Sequence, residues 1–231
     1  MIGRLLLAVG ALGLTSCVVT TEATGPTQYD SRAFERDASK EVTVHLRMGA
    51  GQIKVGSGTR KLMQAYFTYN VPSWKPDVRY SAGTLDVEQP SHRGAHLAGS
   101  HKYDWDLRFA QDIPLNFDVN FGAGDAQLDL GSLTLRNVNV QMGVGELKLD
   151  LRGVPKHDYS VTINGGVGEA TVRLPADVGI YAEASGGIGE ISTRGLMKRD
   201  GHWINEAYGQ PGVKIHLEVH GGIGQITLIA E

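Results

Sequence analysis

Four acidic residues, Asp125, Glu146, Glu169 and Glu190, each directly follow a Gly-Xxx-Gly and so hold one place in four copies of a pattern. Carboxylates in equivalent places invite two chemistries. Stacked at one strand spacing, about 5 Å, they repel one another unless a cation intervenes. Two of them held roughly 5 to 9.5 Å apart are the equipment of glycoside hydrolysis. Calcium wants six to eight oxygens, more than such a column offers, and the other reading is of solvated corner carboxylates accepting from turn amides. Catalytic acid and base roles need pKa values pushed apart, whereas a uniform column gives similar surroundings to each member. A polysaccharide-cleaving enzyme built on these four acids therefore stands as the alternative to a non-catalytic protein.

Three imidazoles, His92, His96 and His101, fall within ten residues of the polar segment Pro90–Lys102. They either converge on a transition metal or decorate a surface loop. Gly94, Gly99 and Ser100 favour the loop, and structural zinc sites present tighter paired spacings. No serine sits in a nucleophile elbow. No cofactor is expected, because the Gly-Xxx-Gly units run into strict alternation, as in Glu146-Leu-Lys-Leu-Asp-Leu151. A dinucleotide fingerprint would need a third glycine and a helix opening behind it.

These side chains must be positioned by six copies of one unit: Gly49-Ala-Gly51, Gly122-Ala-Gly124, Gly143-Val-Gly145, Gly166-Val-Gly168, Gly187-Ile-Gly189 and Gly222-Ile-Gly224. Three and five residues before each first glycine lie apolar columns, Leu46, Val119, Val140, Ile163, Ala184, Val219 and Val44, Phe117, Val138, Val161, Ala182, Leu217. Two before lies a polar column, Arg47, Asn120, Gln141, Asn164, Ser185 and His220. Strand side chains alternate between faces, so the two sets point opposite ways. The residues between the glycines, such as Val167, are expected to join the inward set. Behind them the alternation slips by one residue, as at a bulge or corner where glycine accepts positive φ. From Gly122 the steps are 21, 23, 21 and 35 residues, the last lengthened by the insertion Leu196–Gly212. Repetition at this period predicts an all-β, single-domain, solenoid-like stack of strand-turn-strand repeats.

The N-terminus joins Arg4 to a short apolar run ending Leu14-Thr-Ser-Cys17, at the only cysteine in the chain. That is an export signal rather than a membrane span. It resembles the lipobox of bacterial lipoproteins, which implies a signal peptide over 1–16, lipid on Cys17, and outer-membrane sorting because Val18 follows. Residues 17–40, with Thr20, Thr21, Thr24, Gly25, Pro26 and Thr27, read as a flexible tether. The domain then spans 41–231, with a first part to 151 and further repeats over 152–231. The net charge of −3 leaves no basic stripe for nucleic acid.

Two regions are candidate partner surfaces. Trp203 and Tyr208 in the insertion are either contact residues or a lid over the stack. Ile226 and Leu228 lie in the last copy, which ends the chain without a polar cap. That copy is expected at an edge, either covered by the insertion or open to a second copy of the protein.

The features from Val42 to Leu151 resemble the N-terminal domain of the bacterial toast-rack family. They are Gly49-Ala-Gly51, Val71-Pro72 to Tyr80, Trp105, Ile113-Pro-Leu115, Phe121-Gly-Ala-Gly124, Leu128-Asp-Leu130 and Gly143-Val-Gly145. The continuation through Gly166, Gly187, Trp203-Ile-Asn205 and Tyr208 is similar to the C-terminal domains of cell-wall-stress response proteins and to adhesin families. The resemblance implies a β-solenoid-like stack without catalytic residues. The expected role is that of a lipid-anchored envelope scaffold, stress-associated or adhesion-type, with an envelope protein or cell-wall polysaccharide as partner.

Overall fold

The computed structural model describes residues 21–90, 96–98 and 101–231. Its strands are β1 (Thr21–Ala23), β2 (Gln28–Phe34), β3 (Val42–Ser57), β4 (Met63–Tyr69), β5 (Asp77–Ser81), β6 (Thr84–Glu88), β7 (His96–Ala98) and β8 (Tyr103–Phe109). They continue as β9 (Pro114–Asp129), β10 (Thr134–Asp150), β11 (Tyr159–Leu174), β12 (Gly179–Arg194), β13 (Met197–Arg199), β14 (His202–Ile204) and β15 (Lys214–Ala230). β1 pairs with β7, and the rest form one thirteen-stranded sheet in the order β13-β14-β12-β15-β11-β10-β9-β3-β8-β4-β2, with β6 and β5 beside β3. Among the described residues no helix is long and apolar enough to cross a membrane.

The six long strands run parallel in register, yet β9 and β10 are joined only through residues 130–133. A straight strand of that length would cover about 50 Å, far beyond the reach of such a link. Each strand must therefore fold back on itself, and it does so at its Gly-Xxx-Gly. The halves before and after the corner form a leading and a trailing layer that face each other across the core. At the N-terminal end the layers separate: β6 adds to the leading half of β3 at Thr43–Arg47, and β8 to its trailing half at Gln52–Ser57. The turn between β5 and β6 takes positive φ at Ala82 and Gly83, as a tight hairpin with right-handed strand twist requires.

The predicted apolar columns are the core. Leu46, Val119, Val140, Ile163 and Val219 are buried in the leading layer, and Leu147, Val172 and Leu228 in the trailing one. Burial of each such side chain stabilises by about 1.5–3 kcal/mol.

The residues between the glycines do not join them. Val144, Val167, Ile223 and Ile188 are 54%, 44%, 51% and 71% exposed. The chain turns outward over the whole corner, so the inward sequence passes directly from Met142 to Leu147, both buried. The middle residue is left on the convex side.

The last copy is not at an edge. β15 lies between β11 and β12 and pairs with both along its length. Ile226 and Leu228 are consequently buried, 5% and 0% exposed, and cannot serve as an open pairing edge. After β12 the chain makes the β13–β14 hairpin, pairs it at Tyr181 and Ala182, and returns inside the terminal coil. Glu231 pins this arrangement, accepting from Arg152 at 2.9 Å, Arg173 at 2.6 Å and Arg194 at 2.7 Å. Among the described residues the trailing half of β12 has no strand on its outer side.

The segment expected as a tether contains β2, paired antiparallel with β4. Arg32 secures it by bonding Asp30 at 2.9 Å and the Pro76 carbonyl at 3.0 Å. Trp203 is a lid: it is 8% exposed and joins the core, with the Lys198 ammonium 4.8 Å from its ring. Tyr208 is half-buried beside Tyr181 at 5.8 Å.

Candidate binding groove

The first glycine of each corner stacks on that of the next coil. A Cβ on Gly122 would come within 2.5 Å of the Gly49 oxygen, and on Gly143 within 2.3 Å of the Gly122 oxygen. The second glycines add positive φ, 140° at Gly168, where a Cβ would meet the Gly145 oxygen at 1.8 Å. Coils stacked this closely admit only glycine. The row of first glycines has no side chains and becomes the floor of a groove.

Its walls are two in-register columns. One is the polar column Arg47, Asn120, Gln141, Asn164, His220 and Ser185, of which the first four line the groove; the other is the outward ridge Ala50, Ala123, Val144, Val167, Ile223 and Ile188, of which only Ala50 does. The lined stretch covers the coils of β3, β9, β10 and β11, about 14 Å of the stack. The N-terminal portion encloses about 890 Å³ and is lined also by Met48, Phe121, Met142, Trp74 and Pro90. Gln89 closes that end, its Oε1 accepting from the Gly49 amide at 2.7 Å and the Ala50 amide at 3.1 Å. Among the described residues the one cation lining the groove, Arg47, is held by Asp86 at 3.1 Å. Asn120, Gln141 and Asn164 therefore present a ladder of neutral donors and acceptors beside the glycine floor.

The acidic column lies beyond the ridge and is interrupted. Glu146 neighbours Asp125 and Glu169, but Gln225 separates Glu169 from Glu190. Lys148 bonds Glu146 at 2.8 Å. The Lys148 ammonium is held above its ordinary pKa, first by that hydrogen bond and the Glu146 charge, then by Asp125 and Glu169. The acids thus share one row relieved by an amide and a lysine, rather than flanking a cleft. Among the described residues no group of three or more His, Cys, Asp or Glu is placed to hold a metal. His101 stacks against Trp74 with ring centres 5.5 Å apart. Cys17, His92 and the His96 side chain lie outside the described residues.

The polar wall was legible in the sequence as the column two before each glycine. The groove was missed because its floor is the absence of side chains, and because the ridge was assigned inward.

Residues 23–173 match the family model described as the N-terminal domain of toast_rack. The chain belongs to the toast-rack family. Residues 123–228 of this toast-rack protein also match the model described as cell wall-active antibiotics response LiaF, C-terminal. A crystal structure of a candidate cell adhesion protein from Clostridium sporogenes is 28% identical with a TM-score of 0.86, covering 89% of this chain and 100% of its own. A candidate adhesin from Bacteroides fragilis is 12% identical with a TM-score of 0.38, covering 87% of this chain and 96% of its own. A search of curated proteins returned no match. The cell-wall-response description of the second family model and the adhesion description of the Clostridium sporogenes structure associate this fold with the cell envelope.

Proposed function

We propose that this toast-rack protein is a non-catalytic, lipid-anchored binding protein of the bacterial envelope, held to the outer membrane through Cys17. Its groove takes an extended, uncharged polymer of the cell wall. The observation that carries this reading is the amide ladder Asn120, Gln141 and Asn164, in register over successive coils beside a floor of glycines with Phe121 and Met142. A sugar chain has hydroxyl and amide groups for the amide ladder and C–H faces for the apolar lining of Met48, Phe121, Met142 and Trp74. Its lack of charge suits a ladder made of Asn120, Gln141 and Asn164. The adhesion and cell-wall-response descriptions of the relatives agree with this use.

The test is co-sedimentation of the full chain with purified peptidoglycan sacculi. Gln141→Ala with Asn164→Ala should weaken retention about tenfold, since each side-chain hydrogen bond contributes about 0.5–1.5 kcal/mol. Equal retention of wild type and double variant rejects the groove as the contact. Anchoring is tested separately by labelling with a palmitate analogue, where equal label on wild type and Cys17→Ser rejects the lipid.

A further inference from the structure

The outer face of the leading layer carries a second pocket, which shares no residue with the groove. It lies where β10, β11, β15 and β12 begin and encloses about 360 Å³, room for one small ligand. Its lining includes Arg136, Asp158, Tyr181, Tyr208, Lys214 and His216.

A bulge puts Arg136 there. The register of β10 on β9 passes from Leu135 opposite Leu115 to Asn137 opposite Asn116, so Arg136 is the extra residue. Buried Leu135 takes the inward place, and Arg136 and Asn137 are both left exposed. Bulges often re-aim a side chain beside a functional site. Tyr181 and His216 stand opposite each other in β12 and β15, with ring centres 4.5 Å apart. The turn Glu206–Gly209 adds Tyr208, 5.8 Å from Tyr181. Gly179 admits this turn, because a Cβ there would stand 3.2 Å from the Tyr208 Cα.

The charges in the pocket are unevenly committed. The Lys214 ammonium lies 5.0 Å from the centre of the Tyr208 ring. Among the described residues neither it nor the Arg136 guanidinium is in an ion pair. Asp158 is the one carboxylate of the lining, and its Oδ1 already accepts from the Lys214 amide at 2.8 Å. Glu183, on the same face of β12, accepts from the Tyr181 hydroxyl at 2.7 Å. Two free cations thus meet aromatic rings in one concavity. A guanidinium and an ammonium suit a phosphate or a carboxylate. Aromatic rings suit the C–H face of a sugar, and the second oxygen of Asp158 can accept from its hydroxyls.

We propose that this pocket binds a single sugar unit carrying an anionic group, with the anion on Arg136 and Lys214 and the sugar ring on Tyr181 and Tyr208. The site is separate from the groove and takes a charged ligand where the groove takes an uncharged one.

The experiment is calorimetric titration of the full chain with glucose 1-phosphate and with glucuronate, using glucose and inorganic phosphate as comparisons. Saturable one-to-one binding of either charged sugar is the expected result and identifies the anion. Glucose and inorganic phosphate should each bind at least about tenfold more weakly, since each lacks one half of the recognition. Arg136→Gln, at an exposed position, should weaken the charged sugar about tenfold or more while melting like wild type. The groove variant Gln141→Ala with Asn164→Ala should bind it unchanged. The proposal is overturned by absence of saturable binding of both charged sugars, by glucose or inorganic phosphate binding as tightly, by unchanged binding in Arg136→Gln, or by loss of binding in the groove variant.

Discussion

The two ends of the stack are closed to different degrees. At the N-terminal end β6 and β5 extend the leading layer while β8, β4 and β2 extend the trailing one. An aromatic plug fills the space between them: Trp74 meets Tyr103 edge-on at 5.6 Å, and Phe67 meets Trp105 at 5.8 Å. Gln89 satisfies the corner amides. At the other end the β13–β14 hairpin and the turn Glu206–Gly209 cover β12 over its leading half, and three glycines, Gly165, Gly186 and Gly221, leave the coil interior underfilled. A solenoid must stop its own pairing at both ends. Here one end does so with a packed subdomain. The other uses a small lid and leaves the trailing edge of β12 with charged Glu190 and Arg194 and a small apolar hollow.

The contrast is tested most severely by glycine substitutions. Gly168→Ala combines positive φ with a carbonyl 1.8 Å from the new Cβ, and should cost more than about 4 kcal/mol or prevent folding. Gly186→Ala should lie within about 0.5 kcal/mol of wild type or melt higher. Thermal melts showing similar losses for both would break the distinction between stacking glycines and those that leave a hollow. At the plugged end, Trp105→Ala removes a side chain only 1% exposed and should cost about 3–5 kcal/mol in denaturant unfolding. A much smaller loss would mean that the plug is not what completes that end.

The lid depends on Asn205, which is 4% exposed. Its Oδ1 accepts from the Ile180 amide at 2.9 Å, and its amide nitrogen donates to the Ala176 and Val178 carbonyls at 3.0 and 2.7 Å. Asn205→Ala should cost about 2–3 kcal/mol, because buried backbone groups lose partners. Hydrogen exchange should rise first in β14 and the leading half of β12; uniform exchange through the stack would contradict a local lid. A smaller effect is expected at the ridge. Val167→Asp should cost no more than about 1 kcal/mol at its 44% exposed position, whereas Val161→Asp, 0% exposed, should cost several kcal/mol by burying a carboxylate. Equal melting temperatures would restore the inward reading.

The smallest effect is pH-dependent and belongs to the N-terminal end. The Tyr80 hydroxyl, donating at 2.6 Å, and then the Ser39 backbone and side chain hold the Asp37 carboxyl down at about 2. A depressed folded pKa gives stability that is present above the unfolded value of about 3.9 and lost as pH falls through the folded one. Between about pH 4 and 2 the wild type should therefore lose a modest margin that Asp37→Asn does not lose. Parallel melting curves for the two proteins across that range would remove Asp37 from the closure of this end.

The sequence by itself determined the coil. Apolar residues three and five before each first glycine, and the polar residue two before it, specify which face of the strand is buried, because side-chain alternation is a local property. Glycines that recur with a slipped alternation specify a corner, so the all-β stack and the Asn120, Gln141 and Asn164 wall were legible before any contact was known. What lay beyond local pattern was decided in three dimensions. All six copies carry the same columns, so nothing in any one copy says which neighbours it takes; β15 enters between β11 and β12 because the β13–β14 hairpin turns the chain back and Glu231 reaches three arginines there. Alternation is also undefined within a bend. Only the geometry of the corner could turn Val144, Val167, Ile223 and Ile188 outward. β2 has the composition of a linker and becomes a strand only because β4 offers it an edge. The hollow is likewise tertiary: the absence of a side chain at Gly165 becomes a cavity only when Ala170 faces it from the opposite layer.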